Sequence, residues 1–213
     1  MMKNISRLRK EYRGKRLIEP ELPKNPFDLF DQWFTFAVQQ KVPEPNAMVL
    51  STAFRSGRVT ARAVLLKSIE KGQFVFYTNY QSLKGIQLSE NPQAALTFLW
   101  LPIERQVRVE GKVRKLSRKN SADYFNTRPV ESRISASVSP QSCVIPDRRF
   151  LEIMREGFLL DLGSREPDCP ETWGGYGLTP DLIEFWQGGM YRLHDRIRYR
   201  RNKQAWTIER LAP

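Results

Sequence analysis

The first long hydrophobic pattern in the chain has a helical period. Asn25-Pro26 supplies a helix N-cap followed by proline at the first helical position. Apolar side chains then recur at helical spacing until Pro43 and Pro45 interrupt them. The pattern predicts an amphipathic helix whose apolar face packs on the core; its members are Phe27, Phe30, Trp33, Phe34, Ala37 and Val38.

Short apolar runs separated by turn residues follow the helix. Strands are predicted over 47–54, 59–67, 73–78, 94–101 and 105–115, and Ser82 is placed to cap a helix that ends at Glu90. Strands of this length and spacing favour an antiparallel barrel or sandwich. Beyond them the pattern predicts helices over 117–127, from Pro129 onward and over 147–160, a loop over 161–178 and a closing strand over 205–211.

A further hairpin is predicted around Gly188-Gly189, because paired glycines tolerate the positive φ angles of tight turns. The run after the turn has Arg192, His194 and Arg196 at alternate positions, which in a strand share one face. Together with the indole of Trp186, these groups suit a planar anionic ligand. The alternative is a solvated edge strand whose basic side chains discourage edge-to-edge pairing.

Two shorter patterns could also bind an anion. Arg62 and Lys67 end a strongly apolar strand, although their opposite parity puts them on different faces unless the strand twists or bulges. Tyr124, Arg128 and Ser132 lie at i, i+4 and i+8, which would line one face of a continuous helix. The alternatives are snorkelling charges at strand ends and an ordinary exposed helical face.

The net charge of +12 over 213 residues points to an anionic partner: a nucleic acid, phospholipid headgroups or a phosphorylated small molecule. The chain has no apolar run near the ~20 residues that span a bilayer and no secretory signal at its start. Cys143 and Cys169 make no disulfide framework. We therefore expect a cytoplasmic protein with a mobile N-terminal arm over 1–24 and a single domain over 25–213.

Taken together, several segments resemble the pyridoxine (pyridoxamine) 5′-phosphate oxidase family, in order and over nearly the whole chain. The residues that carry the resemblance are Arg62-Ala63-Val64-Leu65-Leu66-Lys67, Phe76-Tyr77-Thr78-Asn79, Glu104-Arg105-Gln106-Val107-Arg108, Tyr124-Phe125 with Arg128-Pro129, Gln141-Ser142, Trp173-Gly174-Gly175-Tyr176 and the hairpin from Glu184 to Arg196. The resemblance implies an α+β fold of mainly antiparallel β structure: an FMN-binding split β-barrel with peripheral helices.

The resemblance also implies the reaction and its site. Pyridoxine or pyridoxamine 5′-phosphate would be oxidised by O2 to pyridoxal 5′-phosphate with release of H2O2, in a homodimer with FMN sites at the subunit interface and no nucleic-acid or membrane partner. FMN would be bound by Arg62, Ala63, Val64, Leu65, Leu66, Lys67, Tyr77, Thr78, Lys84, Gln106, Gln141, Ser142, Trp186 and Arg196. The substrate would contact Arg9, Tyr12, Lys67, Tyr124, Arg128, Ser132, Arg192 and His194, with Arg192 and His194 as the catalytic pair and the arm as a lid.

One position departs from the family pattern. The residue before Lys84 is usually arginine in this family, and here it is Leu83. A charge-assisted bond to the FMN phosphate would then be missing, which is worth about 1.5–3 kcal/mol if buried and uncompensated. Two other functions remain open at this point: a split-barrel flavoprotein with another substrate, such as a flavin reductase, and a basic barrel that binds RNA or single-stranded DNA.

Overall fold

A computed structural model describes residues 10–203 and 205–213. Nine strands and five α-helices form within these ranges. The helices are α1 (Pro26–Gln39), α2 (Leu83–Glu90), α3 (Arg118–Asn126), α4 (Val130–Val138) and α5 (Arg148–Leu162). The strands are β1 (Ala47–Ala53), β2 (Val59–Leu65), β3 (Ser68–Glu70), β4 (Gln73–Asn79), β5 (Gln93–Trp100), β6 (Arg105–Lys115), β7 (Trp173–Gln187), β8 (Asp195–Asn202) and β9 (Ala205–Leu211).

Local capping chemistry fixes the helix starts that the sequence predicts. The Asn25 side chain accepts a hydrogen bond from the N–H of Phe27, with Pro26 at the first helical position of α1. Ser117 and Asp147 cap α3 and α5 through their side-chain oxygens, and Ser82 caps α2. Each cap satisfies an amide that has no partner within its helix. The predicted starts of these helices are confirmed.

Hydrogen bonding orders the strands β2-β1-β5-β6-β7-β4-β3 in one sheet, with β8 beside β7 and β9 beside β8. The pairings β3–β4, β4–β7, β7–β8 and β8–β9 are antiparallel. The mainly antiparallel α+β class is therefore confirmed. The chain forms two compact units, and four of the strands contribute residues to both.

The first unit comprises the described residues up to Val49, with Ala95–Gly111 and Pro180–Pro213. Its core is aromatic. Phe30 of α1 packs edge-on against Phe98 at a centroid distance of 5.0 Å, and Trp33 packs against Phe185 at 5.2 Å. Because these rings are almost fully buried, they contribute a large apolar area to the packing of α1.

The second unit comprises Leu50–Ala94 and Lys112–Thr179. Here β4 pairs with β7 from Phe74↔Leu178 to Asn79↔Trp173. Phe76 stacks on Tyr176 at 5.6 Å, and Phe125 of α3 meets Trp173 edge-on at 5.1 Å. These contacts hold β4 and α3 in place. Several of the predicted site residues lie on these two elements.

The hairpin after β7 forms, but not in the predicted way. A 3-10 turn over Met190–Arg192 separates the strands, and β8 begins only at Asp195. Arg192 and His194 therefore do not share a strand face with Arg196, and that prediction was wrong. Positive φ falls on Tyr191 and Arg192 instead of the glycines. Gly189 serves close packing, because a Cβ there would lie 2.4 Å from the Leu193 carbonyl oxygen.

Three other expectations need correction. The predicted loop over 161–178 ends early, because β7 starts at Trp173. The short strand β3 was missed, since three residues are too few for a periodic signal. In the α1 stripe, Val38 is exposed and Leu29 is buried instead. The single domain over 25–213 and the mobile arm over 1–24 remain predictions.

Candidate functional site

The second unit contains a cavity of about 790 Å³. Its size falls within the range of about 300–1,000 Å³ typical of small-molecule sites. Its lining includes most of the residues predicted to bind a phosphorylated ligand in this unit, namely Arg62, Ala63, Val64, Leu65, Lys67, Tyr77, Thr78, Lys84, Tyr124, Arg128, Ser132 and Gln141. The residues from distant parts of the sequence thus meet in one place.

The end of strand β2 explains how Arg62 and Lys67 reach the same cavity despite their opposite parity. The strand stops at Leu65, and the N–H of Lys67 donates to the Val75 carbonyl at 2.9 Å as the chain turns into β3. The change of direction removes the strict alternation that holds within one strand. The two residues therefore line one cavity because the strand ends between them, and not through the twist or bulge that the sequence analysis expected.

Arg62 is held by neutral oxygens rather than by a carboxylate. Its Nη1 donates to the Leu50 carbonyl at 3.1 Å and to the Thr52 hydroxyl at 2.6 Å, and its Nη2 donates to the Thr60 hydroxyl. Burial lowers the pKa of the guanidinium, which nevertheless stays charged. The positive charge is positioned but not neutralised.

Lys84, on α2, is likewise bound by neutral oxygens and not by a carboxylate. Its ammonium donates to Gln141 Oε1 at 2.9 Å and to the hydroxyls of Thr78 and Ser82 at 3.2 and 3.3 Å. Burial, reinforced by the nearby charge of Arg62, lowers the pKa of Lys84 to about 8. An amine with so low a pKa is one that an incoming anion would stabilise in its charged form.

Three nearly parallel aromatic rings form one wall of the cavity. Tyr77 stacks on Tyr124 at a centroid distance of 3.9 Å and on Trp173 at 5.3 Å, with planes within 20°. The guanidinium of Arg128 lies 4.8 Å from the Trp173 ring centroid. Its buried Nη1 has no hydrogen-bond partner among the described residues. A donor held this way on an aromatic face is suited to a phosphate or carboxylate oxygen.

Trp173 is the member of this site that sequence reasoning missed. The segment Trp173-Gly174-Gly175-Tyr176 carried the family resemblance but received no role. Its glycines are a signal that was available: a Cβ at Gly174 would lie 2.1 Å from the Tyr80 hydroxyl oxygen. Such tight packing places the Trp173 ring against Tyr77 and Arg128.

A second group of predicted ligand residues lies in the first unit around three rings. Tyr12 lies edge-on to both Trp186 and His194 at 5.6 Å, and the Trp186 and His194 rings are 4.8 Å apart. The N–H of Gly189 donates to His194 Nδ1 at 3.1 Å, so Nε2 is the nitrogen available to a ligand. A cavity of about 770 Å³ is lined here by Lys10, Glu11, Tyr12, Gly189, Tyr191, Arg192 and His194.

Arg196 lies directly opposite Trp186 in the β7–β8 ladder. Its Nε donates to Glu184 Oε1 at 2.8 Å, while Arg108 Nη2 donates to Glu184 Oε2 at 3.0 Å. The Glu184 side chain is only 3% exposed. One buried carboxylate therefore orients two guanidinium groups, which is the arrangement that makes a buried charge tolerable.

Four predicted residues stand apart from these groupings. Leu66 is buried and is not among the described residues that line the larger cavity; Ser142 is exposed, with φ of 74°. Gln106 lies half-buried on β6 and lines none of the cavities noted above. Arg9 falls outside the described residues. Their predicted roles stay predictions.

These features define an anion site of small-molecule size within a mainly antiparallel α+β fold, and comparison with known proteins identifies the family. A protein-family model described as pyridoxamine 5′-phosphate oxidase matches residues 34–159. A second family model, described as the pyridoxine 5′-phosphate oxidase C-terminal dimerisation region, matches residues 173–213. The chain is 49% identical to the pyridoxine/pyridoxamine 5′-phosphate oxidase of Polynucleobacter asymbioticus and 47% identical to that of Pseudomonas fluorescens, with full coverage of both chains in each pair.

The chain therefore belongs to the pyridoxine/pyridoxamine 5′-phosphate oxidase family and is an enzyme of the oxidoreductase class. Among solved structures it is similar to PhzG of Burkholderia lata, with 31% identity, a TM-score of 0.87 and coverage of 94% of this chain and 99% of that one. An FMN-binding protein of Nostoc punctiforme, 18% identical with a TM-score of 0.69 over 86% and 97% of the chains, shares the fold. The predicted fold and family are confirmed.

No helix among the described residues has both the length and the apolar character that a membrane-spanning helix needs.

Burial of Lys84 makes a prediction about stability. Replacing it by methionine should stabilise the protein without ligand at pH 7 by about 2–3 kcal/mol, because each pKa unit of depression costs about 1.4 kcal/mol and the loss of the hydrogen bonds from the ammonium to Gln141 and Thr78 offsets part of that gain. Below pH 8 both folded and unfolded states carry the proton and the cost is complete. Between pH 8 and the ordinary value of 10.5 only the unfolded state keeps it, so the cost falls as pH rises.

The measurement is urea unfolding of the parent and Lys84→Met from pH 7 to pH 10.5. The advantage of the variant should shrink across the upper part of that range. Lys119→Met serves as the control, since Lys119 is exposed and paired with Asp123 on α3. A variant less stable than the parent at pH 7 would contradict the assignment of Lys84 as an uncompensated buried cation.

Proposed function

We propose that the protein catalyses the FMN-dependent oxidation of pyridoxine 5′-phosphate or pyridoxamine 5′-phosphate to pyridoxal 5′-phosphate. The alcohol would lose two electrons and two protons to O2, which gives the aldehyde and H2O2. The amine would consume one water in addition and release ammonia. Family membership over the full chain supports the reaction class, and the chemistry of the cavity in the second unit supports the ligands.

The observation that carries the proposal is the excess of uncompensated positive charge in that cavity. Arg62, Lys67, Lys84 and Arg128 all line it, and the one acidic residue among its described lining, Glu131, is paired with Arg155 at 2.8 Å. Charges held in a partly buried site need a counter-charge. A phosphorylated ligand, which carries about −1.5 to −2 charges per phosphate at pH 7, would supply it.

The residues present fit FMN. Arg62 and Lys84 would hold its phosphate, supported by the hydroxyl of Thr78 and the amide of Gln141, which already bond to Lys84 or to each other. The backbone of 63–65 borders the cavity and offers N–H and C=O groups to a heterocycle. When bound, FMN supplies the redox chemistry by accepting a hydride from the substrate and passing the electrons to O2.

The substrate phosphate is assigned to Tyr124, Arg128 and Ser132, which line the same cavity. Tyr124 lies on α3, Ser132 lies on α4 and Arg128 lies in the break between the two helices, yet all three residues line one cavity. Arg128 carries the strongest support, because its buried Nη1 lacks a partner among the described residues and would gain one from a phosphate oxygen.

Arg192 and His194 would act on the pyridine end of the substrate. With Nδ1 engaged by the Gly189 N–H, neutral His194 presents an Nε2–H donor, and Arg192 presents a guanidinium fork. Their role would be to orient the reacting carbon rather than to remove a proton as an obligatory base. Alignment of this kind can contribute about 7–11 kcal/mol at best to lowering a barrier.

The assembly proposed is a homodimer with FMN at the subunit interface, which the matching C-terminal dimerisation region supports. Gln106, Trp186 and Arg196 in the first unit are assigned to FMN on the family pattern. The cytoplasmic location is likewise part of the proposal.

A second candidate function follows from the similarity to PhzG, whose solved structure contains tetrahydrophenazine-1-carboxylic acid. A carboxylate of such a tricyclic acid could also satisfy Arg128. A phosphorylated substrate is favoured because Tyr124 and Ser132 add two hydroxyls to the cavity that Arg128 lines. The chain is also more similar to the pyridoxine/pyridoxamine 5′-phosphate oxidase of Polynucleobacter asymbioticus, at 49% identity, than to PhzG, at 31%.

One experiment tests the proposed function directly. The purified protein is examined by visible absorption with and without added FMN, and peroxide production is then measured with pyridoxamine phosphate. A flavin spectrum and one H2O2 per aldehyde formed are expected. A flavin spectrum without peroxide would move the assignment to another substrate. A colourless protein that binds RNA in physiological salt would contradict it altogether.

Arg128→Ala should raise KM for pyridoxamine phosphate by about tenfold to a hundredfold, because a charge-assisted bond worth about 1.5–3 kcal/mol is removed. FMN affinity should change much less. Steady-state kinetics at saturating FMN give the answer, with Arg148→Ala as the control, since the Arg148 side chain is 91% exposed on α5. An unchanged KM would remove Arg128 from the substrate phosphate site.

Arg192→Met should lower kcat by about a hundredfold or more while FMN remains bound, because the side chain is assigned to aligning the reacting carbon. Arg200→Met is the matched control on β8, where Arg200 pairs with Glu209 at 2.8 Å. Turnover and bound flavin are measured on the same samples. Equal turnover in the variant and the parent would exclude Arg192 from the mechanism.

A further inference from the structure

We propose that Glu104 is a positioning residue that fastens the N-terminal segment 10–19 so that Tyr12 stays against Trp186 and His194. The inference rests on the proposed function, in which Tyr12 and His194 contact the substrate. All the residues involved belong to the first unit.

Glu104 joins two parts of that unit through its side chain and its backbone. Its carboxylate accepts from the Arg13 N–H at 2.7 Å and lies 3.1 Å from Lys10 Nζ. Its carbonyl accepts from the Gly188 N–H at 2.8 Å and from Gln187 Nε2 at 3.0 Å. One residue therefore bonds at the same time to the segment that carries Tyr12 and to the turn after Trp186.

The backbone of Glu104 supports this double role. It adopts a left-handed conformation, with φ of 58° and ψ of 38°, between a 3-10 turn over Leu101–Ile103 and the start of β6. Non-glycine residues in this region are uncommon and persist only where the surroundings hold them. Here that restraint comes from the partners named above and from the Leu101 carbonyl, which accepts from the Glu104 N–H at 3.1 Å.

The segment and the turn also interlock directly. The N–H of Gly14 donates to the Gly188 carbonyl at 3.0 Å. A Cβ at Gly188 would lie 2.8 Å from Tyr12 Cβ and 3.1 Å from Glu104 Cβ. Tyr12 thus packs against the backbone of Gly188, between Glu104 and the rings of Trp186 and His194. A small shift of the N-terminal segment would therefore move the Tyr12 hydroxyl.

The carboxylate of Glu104 is suited to hold this arrangement near neutral pH. Burial alone would raise its pKa, but the Arg13 N–H and the Lys10 ammonium together outweigh that effect and lower it. Further along the segment, the Leu17 N–H donates to Asp195 Oδ2 at 3.0 Å, and Arg210 bonds to both oxygens of Glu19, at 2.6 and 3.0 Å. Because these contacts lie five and seven positions beyond Tyr12, the placement of Tyr12 depends on the Glu104 carboxylate together with the Gly14–Gly188 hydrogen bond.

The test compares Glu104→Ala and Glu104→Gln with the parent as FMN-loaded proteins. The readouts are KM and kcat for pyridoxamine phosphate, the FMN dissociation constant, and the rate of tryptic cleavage after Lys10 and Arg13 followed by mass spectrometry. Glu21→Gln is the matched control, since it removes the same charge from an exposed 3-10 turn in the same stretch of chain.

For Glu104→Ala we expect at least a tenfold rise in KM, at least tenfold faster cleavage and an FMN dissociation constant within twofold of the parent. Glu104→Gln should fall in between, because an amide oxygen still accepts from the Arg13 N–H but carries no charge for Lys10. In a Tyr12→Ala background, Glu104→Ala should leave KM unchanged, which a merely structural role would not explain.

Faster cleavage with an unchanged KM would overturn the positioning role. Equal cleavage in the parent and both variants would overturn the anchoring itself. That second result can be read whether or not the parent oxidises pyridoxamine phosphate. Failure of this inference is thereby distinguished from failure of the proposed function.

Discussion

The candidate binding site in the second unit depends on positive charge that the protein itself does not neutralise. In the cavity of the second unit Arg62 and Lys84 are fixed by hydroxyl, amide and carbonyl oxygens, and Arg128 lies on an aromatic face with an unpartnered buried nitrogen among the described residues. Neutral oxygens orient a cation without cancelling its field, so the site is held ready for an anion and loses stability in its absence. A stability cost retained at a binding site is the expected trade-off between folding and function.

Much of the fold could be predicted from local signals. Helix caps at Asn25, Ser117 and Asp147 and alternating strands such as β6 act over a few residues, and the sequence displays them directly. Elements without a periodic signal could not be found this way. The three-residue strand β3 and the early start of β7 depend on pairing with β4, which is a tertiary effect. The exposure of Val38 likewise depends on which face of α1 meets Phe98 and Phe185, and not on its own apolar character.

The sequence predicted which residues form the candidate site better than it predicted how they are arranged. Arg192 and His194 were placed on a strand with Arg196, whereas the chain turns through a left-handed Tyr191-Arg192 pair first. No spacing rule signals such a turn, because it is stabilised by close packing at Gly188 and Gly189 and by the N-terminal segment. The segments that resemble the family include Glu104 and Trp173 but assign them no role, since their roles arise from contacts with residues far away in sequence.

Under the proposed function, the cations of the second-unit cavity that lack an acidic partner would bind the phosphate of FMN. An equilibrium titration of the flavin-free protein with FMN and, in parallel, with riboflavin isolates this contribution, because riboflavin has the same ring system and no phosphate. FMN is expected to bind at least a hundredfold more tightly than riboflavin at pH 7 and moderate salt. Equal affinities for the two flavins would exclude a phosphate-binding role for these cations.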